Sequence, residues 1–249
     1  MRHIVALSGG KDSTALALRL AEVEPRDSYE YVFTPTGDEL PDMVEHWKRL
    51  MSMLGKPLRP LNNESLAGVI ERNGALPNWR MRFCTRQIKI EPFIAYMQSA
   101  APAMAYVGLR ADEETREGTL YGESAGIEQR FPLREWGWGI GDVQDYLKSK
   151  GVEIPKRTDC ARCFYQTLGE WYDLWVEHPT IYEDAVAMED KHGHTFRSEQ
   201  RDAWPAALKG LRAEFEGGRK PRSVVRREQG KLFGEEDMMR KRTCRICTM

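Results

Sequence analysis

The chain has 249 residues, 41% of them hydrophobic and 30% charged, and its formal net charge is −1. This length suits one large domain or a domain with an appendage, and the composition is typical of a globular enzyme rather than a disordered or fibrous chain. Because no apolar run approaches the roughly 18 residues of a membrane helix and no signal peptide precedes the first strand, we expect a cytoplasmic protein without a membrane partner.

Short apolar runs alternate with amphipathic stretches over the first 150 residues, which is typical of β–α–β units. The pattern predicts strands at 3–7, 29–34 and 104–108 and helices at 13–23, 40–54, 88–99 and 139–150. Residues 168–191 are predicted to form one or two further helices. We therefore expect an α/β fold with a parallel sheet between helices, followed by a mainly helical C-terminal part.

Three regions follow from this pattern. Residues 1–150 form the predicted α/β domain, 151–216 a cysteine-containing helical region, and 217–249 a basic tail with a C-x-x-C pair. Gly217-Gly218 is the predicted linker. The basic runs at 219–231 and 240–245 are more typical of a solvated tail than of a binding patch.

Residues 8–13, Ser-Gly-Gly-Lys-Asp-Ser, lie between the first predicted strand and the first predicted helix. Backbone N–H groups of a glycine-rich turn at a helix N-terminus form an anion site, so the segment predicts phosphate binding. The Walker A pattern needs four residues between its first glycine and Gly-Lys-Ser/Thr, and these residues are missing here. A kinase or GTPase is therefore disfavoured.

The loop is similar to that of the ATP pyrophosphatase (PP-loop) and PAPS reductase-like superfamily, whose members have a Rossmann-like (HUP-type) fold. The resemblance implies cleavage of ATP between its α and β phosphates. It implies that Lys11 and Asp12 act in catalysis and that Asp12 and Asp38 hold Mg²⁺. The residues that it implies for nucleotide binding are Ser8, Gly9, Gly10, Lys11, Asp12, Ser13, Thr14, Asp38 and Lys89.

Further segments resemble this superfamily in the same order. The sequence WRMRFCTRQIKIEPF, at 79–93, is most similar to the DndC-type subunit of DNA phosphorothioation, although Thr85 follows Cys84 where adenylylsulfate (APS) reductases have a second cysteine. The segment 106–116 resembles a "GxRxxES" motif, and its Arg110 becomes a candidate phosphate or catalytic residue. Lys89 becomes a second candidate anchor.

Five cysteines stand at 84, 160, 163, 244 and 247, an odd number with two C-x-x-C pairs. This pattern favours metal or redox chemistry over disulfides. The resemblance implies a 4Fe-4S cluster on Cys84, Cys160 and Cys163. The fourth ligand would be Cys244 or Cys247, or one iron would stay open. The alternative is a structural zinc site on the two C-x-x-C pairs.

These features predict an ATP-dependent adenylating enzyme with an iron–sulfur cluster that inserts sulfur into a nucleic acid, either DNA or tRNA. Its partners would be ATP and a sulfur donor such as a cysteine desulfurase. The alternatives are a sulfonucleotide reductase acting on APS or PAPS, and a nucleotide-binding subunit of a DNA modification or defence complex. A deazaguanine nitrile synthase is disfavoured because its clustered C-terminal zinc cysteines are not matched.

Overall fold

The computed structural model describes residues 1–116, 126–199 and 201–233. The strands are β1 (Arg2–Ala6), β2 (Tyr29–Phe33), β3 (Leu58–Pro60), β4 (Ala103–Tyr106) and β5 (Ile127–Arg130). The helices are α1 (Lys11–Val23), α2 (Pro41–Leu54), α3 (Leu66–Asn73), α4 (Glu91–Ala100), α5 (Pro132–Glu135), α6 (Ile140–Ser149), α7 (Leu168–Glu177), α8 (Pro179–His192), α9 (Leu208–Glu216) and α10 (Arg222–Phe233). A π-helical turn, Thr85–Ile90, precedes α4.

The described residues divide into two units. Unit 1 holds Met1–Ser65 and Thr85–Thr158, and unit 2 holds Leu66–Cys84 and the described residues from Asp159 onward. None of the helices within the described ranges is long and apolar enough to cross a membrane.

The sheet of unit 1 has the order β3-β2-β1-β4-β5, and every neighbouring pair is parallel. Consecutive residues of β1 serve opposite faces, because side chains alternate across a strand. Ile4 packs with Val32 and with Met97 of α4, whereas Val5 packs with Leu16 of α1 and the residues of α6. Both faces of the sheet are therefore covered, which confirms the predicted Rossmann-like α/β class.

The three predicted strands are confirmed as the three central ones, β1, β2 and β4. The strands β3 and β5 were not predicted, and both lie at the edges of the sheet. β3 has three residues and ends in a proline, while β5 reads Ile-Glu-Gln-Arg. An edge strand pairs on one side only and tolerates proline and charge, so its sequence lacks the apolar run of a central strand.

The stretch 168–191 forms two helices, α7 and α8, which meet at His178 just before Pro179. Proline disfavours helical geometry in the residue before it and suits the first turn of a new helix. The predicted basic tail is helical over Arg222–Phe233. Its Val224 is buried, and its Arg227 donates two hydrogen bonds, of 2.7 and 2.6 Å, to Asp173 of α7. The first part of this segment is therefore docked on α7 within unit 2.

Candidate active site

The candidate site lies at the carboxyl edge of the sheet, where the strand order reverses. β1 is followed in the chain by β2 on one side, and β4 occupies its other side in parallel register, with Val5 opposite Tyr106. The loops that follow β1 and β4 therefore leave the sheet side by side. Ligands of doubly wound folds bind in the crevice at this switch point.

The loop after β1 turns back on itself through hydroxyl groups. Gly9 N–H donates to Ser13 Oγ at 3.2 Å, and that hydroxyl lies 3.1 Å from Gly10 O, to which it donates. Ser8 is held by Trp47 of α2, whose Nε1 donates to its carbonyl oxygen at 2.9 Å. α1 begins directly after Gly10, which has no side chain to cap the first helical amides. This N-terminus therefore presents backbone donors to an anion.

Gly9 is required at the tip of this loop for two reasons. Its φ of +88° lies in the left-handed region, and a Cβ there would come within 2.6 Å of Trp47 Nε1. Gly55, at the end of α2, also has a positive φ, of +62°, but a Cβ there would meet nothing within 4 Å. The two glycines share a conformational requirement, and Gly9 alone adds a close approach.

We expect Gly9→Ala to destabilise the protein more than Gly55→Ala and also to abolish nucleotide binding. Gly55→Ala should cost about 1–2 kcal/mol for the left-handed conformation alone. Gly9→Ala must in addition displace Trp47 and the loop. Urea unfolding and nucleotide titration of both variants test this expectation. Equal costs with intact binding in Gly9→Ala would show that the close approach is unimportant.

Arg110, in the loop after β4, is almost completely buried, at 2% exposure, and binds three carboxylates. Its guanidinium donates to Asp12 Oδ2 at 2.8 Å and to Asp112 Oδ1 at 2.8 Å, and it lies 3.8 Å from Glu113 Oε1. Asp112 in turn accepts a hydrogen bond from Ile140 N, at the start of α6, at 2.9 Å. Arg110 therefore holds the first turn of α1, the β4 loop and α6 together.

Gly108 allows the β4 loop to pass directly against the first turn of α1. A Cβ on Gly108 would lie 3.1 Å from both Asp12 C and Ser13 N, so a side chain there would force the two loops apart. The close approach sets the distance across which Arg110 reaches Asp12. The Gly-x-Arg spacing of this segment thus has a structural basis.

Asp12 uses one carboxylate oxygen for Arg110 and leaves the other without a partner. Its Oδ1 is buried and accepts no hydrogen bond from the described residues. Burial raises the pKa of the Asp12 carboxyl above its usual value, although Lys11 and Arg110 both act to lower it. A buried carboxylate oxygen without a hydrogen-bond donor or a cation is energetically costly. A donor or a cation bound at Asp12 Oδ1 would therefore stabilise the site.

Two further predicted residues lie at the same edge of the sheet. Asp38 follows β2 and is buried in a turn in which Glu39 Oε1 accepts hydrogen bonds from Thr36 N and Oγ1, at 2.6 and 2.7 Å. Lys89 belongs to the π-helical turn that precedes α4. Since α4 leads into the start of β4, its own first turn lies toward the carboxyl edge, and π-helical turns are frequent at functional sites.

Thr14, predicted to take part in the phosphate loop, is fully buried, and its hydroxyl makes no hydrogen bond within the described residues. It lies one residue further into α1 than the side chains that close the loop. Its role as a phosphate ligand stays a prediction.

Cys84, Cys160 and Cys163 belong to unit 2 and form no disulfide within the described residues; Cys163 is buried and the other two are half-buried. Gln166 N donates to Cys163 O at 3.0 Å, so the C-x-x-C segment ends in a tight turn. Within the described ranges, no three or more histidine, cysteine or acidic side chains form a group that could hold a metal ion. Cys244 and Cys247 lie outside the described residues. The iron–sulfur and zinc alternatives therefore stay predictions.

The family model described as phosphoadenosine phosphosulfate reductase domain matches residues 2–173, well over half of the chain. The chain belongs to this family. The match confirms the predicted PP-loop and PAPS reductase-like superfamily, while the closer likeness to DndC-type proteins stays a prediction. In this PAPS reductase-domain protein, the matched residues run from β1 through β5 and end within α7.

Among solved structures, the chain is similar to phosphoadenylyl-sulfate (PAPS) reductase from Candida auris in its phosphate complex. The two share 16% sequence identity with a TM-score of 0.48, over 62% of this chain and 75% of that chain. A comparison with curated protein sequences found no match. The family assignment of this PAPS reductase-domain protein rests on the domain match alone.

Sequence reasoning missed three residues around the PAPS reductase-domain loop. Asp112 and Glu113 form two of the three carboxylate contacts of Arg110. His46 of α2 is buried, its ring is hydrogen-bonded to the backbone of Gly9, and burial lowers its pKa. A signal existed for His46, because it follows the buried Met43 by three residues on the inward face of α2.

Proposed function

We propose that the chain binds ATP at residues 8–13 and cleaves it between the α and β phosphates, so that an acceptor is adenylated and pyrophosphate is released. The observation that carries this proposal is Asp12 Oδ1, a buried carboxylate oxygen without a partner in the described residues, at the switch point of the sheet. A polyphosphate bound with a divalent cation would supply the positive group that this oxygen lacks.

The loop supports the binding of pyrophosphate through its backbone. The uncapped first turn of α1 offers amide donors, and the hydroxyls of Ser8 and Ser13, 3.1 Å apart, can exchange their mutual hydrogen bond for phosphate oxygens. Lys11, the first residue of α1, is suited to offset negative charge on the leaving pyrophosphate. Lys11 is therefore the candidate catalytic residue of this loop.

Asp12 and Asp38 are the residues that fit Mg²⁺. Both carry hard carboxylate oxygens at the same edge of the sheet, and Asp12 Oδ1 is available. When bound, Mg²⁺ supplies charge neutralisation at the phosphate oxygens. Arg110 already contacts Asp12, Asp112 and Glu113, so we assign it a positioning role. It binds Asp12 Oδ2 and thereby fixes the carboxylate, while Oδ1 is left for the cation.

In the proposed reaction, an oxygen of the acceptor attacks the α phosphorus and the bond to the α–β bridging oxygen breaks. The electron pair of that bond leaves with pyrophosphate, and the acceptor carries AMP. A sulfide-level sulfur nucleophile then displaces AMP at the activated centre, which replaces oxygen by sulfur. We propose a nucleic acid as acceptor, DNA or tRNA, and a sulfur-donor protein such as a cysteine desulfurase as the source of sulfur.

The second candidate function is reduction of a sulfonucleotide, and the family match favours it. A reductase would bind APS or PAPS, and a thiol would attack the sulfate sulfur without cleavage of ATP. The α phosphate of such a substrate has no β phosphate to lose. A divalent cation at Asp12 would then have no role in the reaction, so the dependence on Mg²⁺ separates the two candidates.

We expect Asp12→Asn to raise the Mg²⁺ concentration needed for half-maximal pyrophosphate release by at least about tenfold, because affinity for such cations follows the charge of their oxygen ligands. The assay measures pyrophosphate from ATP across a Mg²⁺ titration, with DNA and with tRNA as acceptors. Asp42→Asn, an exposed aspartate in the first turn of α2, is the matched control and should leave the titration unchanged. An unchanged titration in Asp12→Asn would remove the proposed metal site.

A further inference from the structure

A cavity of about 710 Å³ lies within unit 2, and none of the residues that line it belongs to the loop site. It is lined by the start of α7 (residues 167–169), by Arg197 and residues 201–204 of the loop before α9, and by residues 219–223 at the start of α10. This volume falls within the range of small-molecule sites, roughly 300–1,000 Å³. The cavity is larger than a site for an inorganic anion alone needs to be.

The wall of this cavity is strongly cationic. Its one acidic side chain, Asp202, is paired with Arg197 at 2.8 Å. Five basic residues line it: Arg197, Arg201, Arg219, Lys220 and Arg222. Arg219 and Lys220 pair with glutamates outside the lining, at 3.0 and 2.7 Å. Arg201 and Arg222 are exposed, and neither has an ion pair within the described residues.

Two helix N-termini converge on the same cavity. The first turns of α7 and α10 touch, since a Cβ on Gly169 would lie 3.5 Å from Ser223 Cβ. Both helices have ten or more residues. At α7 the Thr167 hydroxyl accepts from Glu170 N and the Glu170 carboxylate accepts from Thr167 N, so the amides of Leu168 and Gly169 are the first-turn donors outside this capping box. Both macrodipoles therefore favour negative charge here. Arg222, the first residue of α10, carries a cation where the dipole disfavours one.

Arg197 provides an observation independent of the helices. It is 2% exposed, and its Nε is buried and donates to no acceptor in the described residues. The remainder of its guanidinium is held by Asp202 and by the carbonyl oxygen of Pro205. Beside it, Arg219 stacks on Trp204 with its Cζ 3.9 Å from the ring centroid, which fixes a second guanidinium at the mouth.

We propose that this cavity is a second anion site, which binds the phosphate group of a nucleotide or of a nucleic acid strand. Planar guanidinium groups match phosphate oxygens in pairs, and helix N-termini add backbone donors to the same group. The apolar wall around Trp204 fits the sugar or base attached to that phosphate. Phosphate binding in this cavity does not rest on the proposed cleavage of ATP at residues 8–13.

The test uses the full chain carrying Gly9→Ala, the variant expected to lose nucleotide binding at residues 8–13, at a temperature below its unfolding transition. Two probes are titrated: AMP, and a single-stranded DNA of 20 nucleotides at several salt concentrations. Arg201→Ala/Arg222→Ala should weaken binding at least about tenfold. It should also lower the slope of log K against log salt concentration in the DNA titration by about 1.4, about 0.7 for each contact with a single-stranded phosphate. Arg226→Ala, an exposed arginine of α10 outside the cavity wall, is the matched control.

Both substituted arginines are exposed, so the double variant should unfold at the temperature of the parent protein or above it, because Arg222 opposes the dipole of α10. Tight DNA binding with a steep salt dependence would identify a nucleic acid strand as the source of the phosphate. AMP binding with no gain from the longer DNA would identify a free nucleotide. If neither probe binds, or if the double variant binds like Arg226→Ala, the proposal is overturned.

Discussion

Lys11→Ala is expected to reduce pyrophosphate release from ATP by about 10²–10³-fold, the loss typical of removing one donor aimed at developing charge. Lys11 is the first residue of α1, between the glycine turn and Asp12, and no neutral side chain can replace its charge there. The reduction should appear mainly in kcat, because charge on the leaving pyrophosphate develops in the transition state. Initial rates over a range of ATP concentrations measure both constants.

The control for this variant is Lys48→Ala, which removes an exposed lysine from α2 that pairs with the exposed Glu45 at 2.6 Å. Lys48→Ala should keep the rate of the parent protein. Both variants should have the same stability to urea, so that a lost rate in Lys11→Ala reflects chemistry. A Lys11→Ala protein that releases pyrophosphate at the parent rate would contradict the role assigned to the loop.

Arg110→Met is expected to destabilise the protein by about 3–5 kcal/mol, the usual cost of removing one partner from a buried ionic cluster. The methionine fills part of the volume but leaves the buried carboxylate of Asp12 without its cation, while Glu113 keeps its ion pair with Arg116 at 2.8 Å. Urea unfolding gives the free energy of unfolding directly. Arg110→Lys should be intermediate, because an ammonium keeps the charge but not the planar fork that reaches three carboxylates.

Two further variants show whether the loss comes from buried charge. Asp12→Asn/Arg110→Met should recover part of the stability, since one orphaned carboxylate is removed with the cation. Arg2→Met breaks a pair with Glu30 of 2.7 Å, close to the 2.8 Å between Arg110 and Asp12, but the Arg2 side chain is 40% exposed. Its cost should stay below about 1 kcal/mol. Equal losses for Arg2→Met and Arg110→Met would mean that burial of the cluster does not matter.

The sequence predicted those elements whose own residues show the hydrophobic pattern of a buried strand or of an amphipathic helix. β1, β2 and β4 are covered on both faces, so most of their residues are apolar or aromatic and their positions were predictable. β3 and β5 pair on one side only. The proline of β3 and the charged residues of both strands are not typical of a central strand, so the sequence did not indicate them. The helix α10 begins directly after a proline in a basic segment, and its contact through Val224 and Arg227 with α7, which lies far away in the sequence, stabilises it.

The candidate site divides in the same way. The segment 8–13 was recognisable because its residues are contiguous and their spacing carries the chemistry. The carboxylates around Arg110 were not, because Asp112 and Glu113 lie in an acidic run that is typical of a solvated surface, and only the fold brings Asp12 to them across 98 residues. The cavity of unit 2 combines three segments distant in sequence, and no local pattern marks it.

The central claim is that this PAPS reductase-domain protein cleaves ATP between the α and β phosphates. The most direct measurement supplies the full chain with Mg²⁺ and ATP labelled at the α phosphate, with DNA or tRNA as acceptor, and separates the labelled products. A parallel reaction supplies PAPS and a dithiol without ATP and measures sulfite. We predict labelled AMP, free or attached to the acceptor, with an equal amount of pyrophosphate and no sulfite. Labelled ADP, or sulfite formed from PAPS without ATP, would contradict the claim.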